Sequence, residues 1–201
     1  MKKTLYPKTA RIADDKIRVT EKLDGSNLGF FKLNGELHIA QRNHIFARSE
    51  ITEDLSLYKG LAGWLDTYGD ALEAELRETS AIFGEWIGMG QLKYPEDMGR
   101  FHMFAKANVS SDFEASNILY EPKLFQFPFE SLEIPEFINI VKEVAVLDTI
   151  PSVKDLDTLY DEYTAEVGRP VEGFIVILTS SNIRKYVRNK RGKIEPHTYK
   201  Q

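Results

Sequence analysis

Cysteine is missing from this chain of 201 residues. Its absence excludes disulfide bridges, cysteine-based zinc sites and thiol catalysis, and it is compatible with a reducing cytoplasm. No apolar run approaches the length that crosses a bilayer. The two lysines near the N-terminus have no apolar core behind them, so a secretory signal is not expected there. These absences predict a cytoplasmic protein.

Two common phosphate-binding motifs are also missing. The chain has neither a glycine-rich P-loop nor a Gly-x-Gly-x-x-Gly fingerprint, which excludes the usual phosphate cradles at helix N-termini. The four histidines lack metal-ligand spacing. A lysine on a strand that attacks a phosphate is the alternative that the sequence leaves for nucleotide chemistry.

The charge is distributed unevenly along a chain whose length allows one large domain or two small ones. We expect a single domain over residues 1–201. The net charge of −5 argues against a protein that coats nucleic acid. Residues 130–166 hold ten acidic side chains against two lysines, whereas residues 184–201 hold seven Lys or Arg against one Glu. Such a basic tail can grip phosphates, although a solvated chain end is the commoner explanation.

Alternating apolar and polar residues predict most of the strands. A hairpin is expected over residues 16–41, with its turn at Asn34-Gly35, because both residues accept positive φ. The other predicted strands are 81–88, 101–105, 124–127, 144–147, 171–178 and 183–188.

Helical spacing of apolar residues predicts two longer helices. The first covers residues 55–78, and the second covers residues 152–167. Ser152 is a plausible N-cap of the second helix, with Asp155 three residues later. A short helix is expected to start at Pro135.

Residues 21–27, Glu-Lys-Leu-Asp-Gly-Ser-Asn, interrupt a row of strand residues. Gly25 breaks the alternation, and a glycine inside a strand pattern often marks a bend or a close backbone approach. Lys22 then lies at a strand end, and its side chain points into the space beside the bend. Its amine is a nucleophile when neutral, but a solvent-facing lysine beside a turn is the commoner case for any lone lysine.

Further charged residues occur at the ends of other predicted strands. Glu85 lies inside an apolar strand, and the local pattern gives nearly equal support to a side chain that faces a cleft and to one that faces solvent. Glu172 lies at the start of another apolar strand. Arg42 and Lys185 add cations, although Arg42 alone favours a surface charge. With Lys22, these residues suit a nucleotide and a divalent metal, because carboxylates hold magnesium and cations neutralise phosphate.

Lys22-Leu23-Asp24-Gly25 matches the Lys-x-Asp-Gly signature of covalent nucleotidyltransferases, the superfamily of polynucleotide ligases and mRNA capping enzymes. Other segments follow in the order of that superfamily's motifs: Gln41-Arg42-Asn43, Phe83 to Trp86, Phe101 to Phe104, Glu172 to Val176 and Lys185 to Arg188. The ordered set, which spans residues 21–188, most resembles the ATP-dependent RNA ligases, and among them the small phage and RNA-editing branch.

The resemblance implies an α+β nucleotidyltransferase domain, of the ATP-grasp-like ligase type, with antiparallel sheets flanked by helices and no OB domain. It implies that Lys22 attacks the α-phosphate of ATP, that AMP then passes to an RNA 5′-phosphate, and that a 3′-hydroxyl displaces it. Glu172 is implied as the ligand of Mg²⁺ or Mn²⁺. The other implied roles are adenine contact for Glu21, stacking on adenine for Phe104, ribose contact for Glu85, α-phosphate contact for Lys185, a position near the metal, the phosphates or the RNA end for Asn27 and Arg42, and nucleotide contact for Arg188.

The last motif departs from the family pattern. It usually has lysines two positions apart, whereas here Val187 follows Lys185 at that spacing and Arg188 comes next, so the register is open. The lysine chemistry also fits a GTP-using capping guanylyltransferase. A third reading is a nucleotide- or RNA-binding homologue without turnover, although the presence of Lys22 and Glu172 speaks against it. If no C-terminal domain follows, the basic stretch 184–193 is predicted to supply part of the grip on RNA.

Overall fold

Two main β-sheets, a two-stranded hairpin, two α-helices and the short 3-10 helices Arg48–Glu50 and Glu96–Met98 form the described part of the chain. The structure is a computed structural model that describes residues 16–41, 44–52, 58–78, 80–108, 135–179, 182–190 and 192–194. The strands are β1 Ile17–Lys22, β2 Gly25–Leu33, β3 Glu36–Ala40, β4 Ile45–Ala47, β5 Ser80–Ile87, β6 Phe101–Asn108, β7 Asn139–Ile140, β8 Glu143–Leu147, β9 Gly173–Thr179, β10 Asn182–Val187, β11 Asn189–Lys190 and β12 Lys193–Ile194. The helices are α1 Leu61–Glu75 and α2 Val153–Val167.

The strands form a small sheet of four, in the order β10-β9-β1-β8, and a large sheet of six, in the order β4-β3-β2-β5-β6-β7. All neighbours pair antiparallel except β6 and β7, which pair parallel. Strands β11 and β12 form a separate two-stranded hairpin. The α+β prediction is therefore confirmed. Within the described residues, neither helix has the length and apolar character needed to cross a membrane.

The predicted bend at Gly25 is the point where the chain leaves one sheet and enters the other. Strand β1 belongs to the small sheet and β2 to the large one, with Leu23 and Asp24 between them. A Cβ at Gly25 would lie 2.3 Å from the carbonyl oxygen of Trp86, so only glycine lets β2 approach β5 this closely. Lys22 consequently ends β1 at the junction of the two sheets.

Asp24 fixes this junction to a loop that follows β5. Its backbone N–H donates to the hydroxyl of Tyr94 at 2.8 Å, and its Oδ2 accepts the N–H of Leu92 at 2.8 Å. A Cβ at Gly90 would lie 2.4 Å from the Asp24 carbonyl oxygen. The aspartate of the Lys-x-Asp-Gly segment therefore has a structural task, which is to hold the turn after Lys22 against this loop.

Helix α2 covers one face of the small sheet. The predicted N-cap is confirmed: Ser152 Oγ accepts the N–H of Asp155, whose carboxylate accepts the N–H of Ser152. The helix buries Leu156, Tyr160 and Tyr163 against inward residues of the sheet, including Val19, Phe174, Val176 and Tyr186. Because strand side chains alternate between faces, the residues between these point to the other face, toward the large sheet.

Helix α1 packs on the large sheet, where its leucines join the cluster around Phe30, Trp86 and Phe101. It begins at Leu61, after Gly60 at φ 86°, and residues 55–57 of the predicted helix lie outside the described residues. The predicted Asn34-Gly35 turn is confirmed, with φ values of 52° and 80°. The predicted short helix at Pro135 is wrong, because residues 136–137 form a turn before β7. The predicted strand 124–127 lies outside the described residues.

Candidate active site

A cavity of about 270 Å³ opens between the two sheets. Its small-sheet wall carries Lys22 and, on β9 and β10, Ile175, Ile177 and Ile183. Its other wall includes Glu85 and Phe104 from the large sheet. The cavity is thus an apolar slot with two charged side chains of opposite sign, and Lys22 and Glu85 are 63 positions apart in the chain.

Lys22 and Glu172 form an ion pair beside this slot. Lys22 Nζ lies 2.5 Å from Glu172 Oε2, and the two side chains are 24% and 17% exposed. Strand pairing explains the approach, because Lys22 pairs with Gly173 across β1 and β9. A Cβ at Gly173 would lie 1.9 Å from the carbonyl oxygen of Tyr186, so only glycine at position 173 allows β10 to lie this close to β9. The structure therefore joins two predicted site residues that are 150 positions apart.

Glu85 faces the cleft, which decides between the two positions that its local sequence allowed. It pairs with Asn27 across β2 and β5, so both side chains point to the same face of the large sheet. Burial raises the pKa of Glu85 to about 7; the positive charge of Lys22 opposes this rise, while the negative charge of Glu172 adds to it. Burial also raises the pKa of Glu172, against the hydrogen bond from Lys22. The cleft therefore holds two carboxylates that are costly to keep ionised without a cation.

The raised pKa of Glu85 makes stability depend on pH. Between pH 4.5, the ordinary pKa of the group, and pH 7, the folded protein holds a proton that the unfolded chain has lost, so stability falls as pH rises through this window. Glu85→Gln removes the ionisable group. We expect this variant to be more stable than wild type at pH 8, by up to about 3 kcal/mol, and similar to it at pH 4.

Urea unfolding at both pH values measures this difference. Glu75→Gln, at an exposed position on α1, is the matched control and should leave the pH dependence of stability unchanged. Equal effects of Glu85→Gln at pH 4 and pH 8 would contradict the predicted proton uptake.

Glu21 also borders the slot, but its carboxylate is held in the interface between the small sheet and α2. Arg169 Nη1 lies 2.5 Å from Glu21 Oε1, and Arg169 Nη2 lies 2.7 Å from Oε2. The hydroxyl of Tyr163 also donates to Oε2 at 2.7 Å. Both carboxylate oxygens are occupied and the side chain is 2% exposed. The adenine contact stays a prediction, and this geometry favours a positioning role for the Glu21 side chain.

Arg169 and Tyr163 are site residues that the sequence analysis missed. The guanidinium of Arg169 lies over the ring of Tyr94, 5.6 Å from its centroid, and Tyr94 is the residue that holds Asp24. Arg169 therefore links the strand that carries Lys22 to the loop that fixes the following turn. The hint available in the sequence is that Glu21 shares a strand face with Ile17 and Val19, because a carboxylate buried on an apolar face needs a partner.

The charged residues of the last motif lie on opposite faces of the small sheet. Lys185 pairs with Ile175 across β10 and β9, so its side chain is on the cleft face, where its charge partly opposes the rise that burial causes in the pKa of Glu172. Arg188 is on the α2 side instead. Its Nη1 lies 2.8 Å from Asp157 Oδ1, and its guanidinium lies 5.5 Å from the ring centroid of Tyr160. The predicted nucleotide contact of Arg188 does not fit this placement, because its guanidinium is held against the helix.

Three further predicted residues have different outcomes. Phe104 lines the cavity, as stacking on a base would need. Asn27 is exposed on the cleft side of β2, where its carbonyl oxygen accepts the hydroxyl of Tyr58 at 2.8 Å. Arg42 lies outside the described residues, so its predicted role stays a prediction.

The carboxylates suit a divalent cation that is shared with a substrate. Among the described residues, no group of three or more His, Cys, Asp or Glu side chains could hold a metal alone. Magnesium is commonly held by one or two carboxylates together with water and substrate phosphates. Glu172, a hard oxygen donor that pairs with Lys22 beside the slot, fits such a site, and Glu85 lies on the opposite wall of the slot.

Comparison with known proteins finds a matching family and a similar fold. A family model described as RNA ligase matches residues 15–193. A mutant of the Naegleria gruberi RNA ligase, solved with ATP and Mn, is 17% identical, with a TM-score of 0.55 over 87% of this chain and 50% of that one. The same enzyme with PPi is 16% identical, with a TM-score of 0.52 and the same coverage. The chain thus spans about half the length of these structures, and at this identity the likeness supports the fold alone. No curated protein sequence matches the chain.

Proposed function

The chain belongs to the RNA ligase family, and on that premise we propose that it joins RNA ends through a covalent lysyl-AMP intermediate. The observation that carries the proposal is the position of Lys22. Its amine is at the mouth of an apolar slot and forms an ion pair with Glu172. A lysine placed there would lie beside the phosphates of a nucleotide whose base occupies the slot, whereas a solvent-facing lysine beside a turn would not.

In the first step, the neutral amine of Lys22 attacks the α-phosphorus of ATP. The N–P bond forms while the P–O bond to pyrophosphate breaks, and the amine loses a proton. Before the attack, Glu172 Oε2, which lies 2.5 Å from Nζ in the ion pair, would pass the ammonium proton of Lys22 to solvent, and the proton released on N–P bond formation would leave with pyrophosphate. In its ionised form Glu172 would hold Mg²⁺ or Mn²⁺, which would supply positive charge to neutralise the phosphates. Lys185, on the cleft face of β10, would contact the α-phosphate.

The slot would hold the adenosine. Phe104 would stack on the adenine, with the isoleucines of β9 opposite it. Glu85 would bond the ribose, and its raised pKa means that its carboxyl can donate as well as accept a hydrogen bond near neutral pH. Asn27, on the same face, and Arg42 are proposed near the phosphates or the RNA end.

The second and third steps use the same positions. The AMP passes from Lys22 to the 5′-phosphate of an RNA strand, which restores the lysine and forms a pyrophosphate linkage. A 3′-hydroxyl then attacks the RNA 5′-phosphate, the phosphodiester bond forms, and AMP leaves. In-line displacements of this kind depend on positioning and on neutralised charge more than on a strong base.

Intact-mass spectrometry with ATP or GTP tests the proposal. Incubation with ATP and Mg²⁺ should add the mass of one AMP to the protein, and GTP should add nothing. An adduct with GTP in place of ATP would indicate a capping-type guanylyltransferase, and no adduct with either would indicate a binding protein without turnover. Sealing of single-stranded and nicked RNA by the adenylated protein then tests the later steps.

A further inference from the structure

The basic β11–β12 hairpin begins next to Glu172. The backbone N–H groups of Arg188 and Asn189 both donate to the carbonyl oxygen of Glu172, each at 3.0 Å. The first residue of β11, Asn189, is therefore hydrogen-bonded to the backbone of Glu172, the residue whose carboxylate contacts Lys22. Residues 184–193 contain six Lys or Arg and no acidic residue, in a chain whose net charge is −5.

Two positive charges face each other across the hairpin. Lys190 and Lys193 pair directly across β11 and β12, and both are exposed. Like charges directly opposite each other destabilise a two-stranded pairing. Arg191 lies between them in sequence, so three of four consecutive residues are cationic. An anion that contacts both lysines would relieve this repulsion, and a polymer of phosphates supplies such charges at regular spacing.

We propose that the β11–β12 hairpin is the surface that grips the phosphodiester backbone of the RNA strand whose end reacts at Lys22. The inference rests on the proposed function, and it assigns the RNA contact to Lys190 and Lys193. None of the described residues of the hairpin is aromatic, so it offers phosphate contacts without base stacking. The grip is therefore independent of base sequence and sensitive to salt.

Fluorescence anisotropy with a short 5′-phosphorylated single-stranded RNA tests the assignment. Lys190→Ala/Lys193→Ala is expected to bind about tenfold more weakly at low salt and to lower the slope of log affinity against log salt by about 1.4, since each lost phosphate contact with a single strand accounts for about 0.7. RNAs of the same length and different base composition should show the same loss. Lys190→Arg/Lys193→Arg should bind RNA as wild type does, which separates lost charge from a damaged hairpin.

The matched control removes two cations elsewhere. Arg77 and Lys106 lie near each other toward the end of the large sheet that is remote from Glu85, and Arg77→Ala/Lys106→Ala should leave RNA affinity and salt slope unchanged. Equal losses of RNA affinity in both double variants would show that the effect comes from the net charge of the protein, and this would overturn the proposal. Unchanged RNA binding in Lys190→Ala/Lys193→Ala would overturn it as well.

Adduct formation separates this inference from the proposed function, because it needs ATP and no RNA. Loss of RNA affinity with adduct formation within about twofold of wild type supports the RNA assignment. Weaker ATP use with unchanged RNA binding would assign the hairpin to the phosphates of the nucleotide and overturn the proposal. If wild type forms no adduct, the proposed function fails, while the RNA-binding comparison still decides the role of the hairpin.

Discussion

Lys22→Ala is expected to abolish the covalent AMP adduct. The amine is the only group at that position that the proposed chemistry can use to attack the α-phosphorus, and alanine leaves no nucleophile there. By analogy with the removal of other enzymatic nucleophiles, the rate of adduct formation should fall by at least about 10⁴-fold. Intact-mass spectrometry after incubation with ATP and Mg²⁺ measures the effect.

Lys16→Ala is the matched control for this experiment. Lys16 precedes the other end of β1, where it pairs with Asp148 in an exposed ion pair, so the substitution removes the same charge away from the cleft. It should form the adduct as wild type does. An adduct that persists in Lys22→Ala, mapped by peptide mass spectrometry to Lys185 or another residue, would refute the assignment of Lys22 as nucleophile.

Arg169→Met should cause the largest loss of stability among these substitutions. Among the described residues, it would leave the carboxylate of Glu21, which is 2% exposed, with the hydroxyl of Tyr163 as its one remaining side-chain donor. Removing one partner from a buried ion pair costs about 3–5 kcal/mol, because the other charge stays buried and uncompensated. Urea denaturation at neutral pH should show a loss of about 3 kcal/mol or more.

Two comparisons identify the cause of that loss. Arg169→Met/Glu21→Gln removes the buried charge together with its partner, so it should recover a large part of the stability. Arg188→Met removes a guanidinium whose partner Asp157 is 38% exposed, and water can replace that contact at a cost of about 1 kcal/mol or less. Equal losses for Arg169→Met and Arg188→Met would show that burial of the Glu21 charge is not the cause.

Arg188 and Arg169 show which contacts of a side chain can be predicted from its position in the sequence and which cannot. Arg188 stands in a segment that resembles a ligase motif, and it was assigned to the nucleotide, but in the structure it lies against α2. Arg169 stands in no motif, yet it neutralises the glutamate next to Lys22. The resemblance places both Lys185 and Arg188 at the nucleotide, whereas the structure places them on opposite faces of the small sheet, because a shift of one position along a strand turns a side chain to the opposite face.

The sequence by itself determined most of the longer strands, the two α-helices, the Asn34-Gly35 turn, the cap of α2 and the positions of Lys22 and Glu172 at strand ends. These features depend on local properties, namely the period of apolar residues, the φ preference of glycine and asparagine, and the short reach of a capping side chain.

Only the tertiary structure decided that the chain changes sheets at Gly25, that Glu85 faces the cleft, and that Glu21 belongs to Arg169. Each of these depends on which strands pair and on which face another element covers. Such contacts join residues about 60 to 150 positions apart and are selected by the packing of the whole domain, since an alternating pattern marks two faces of a strand without stating what covers either of them.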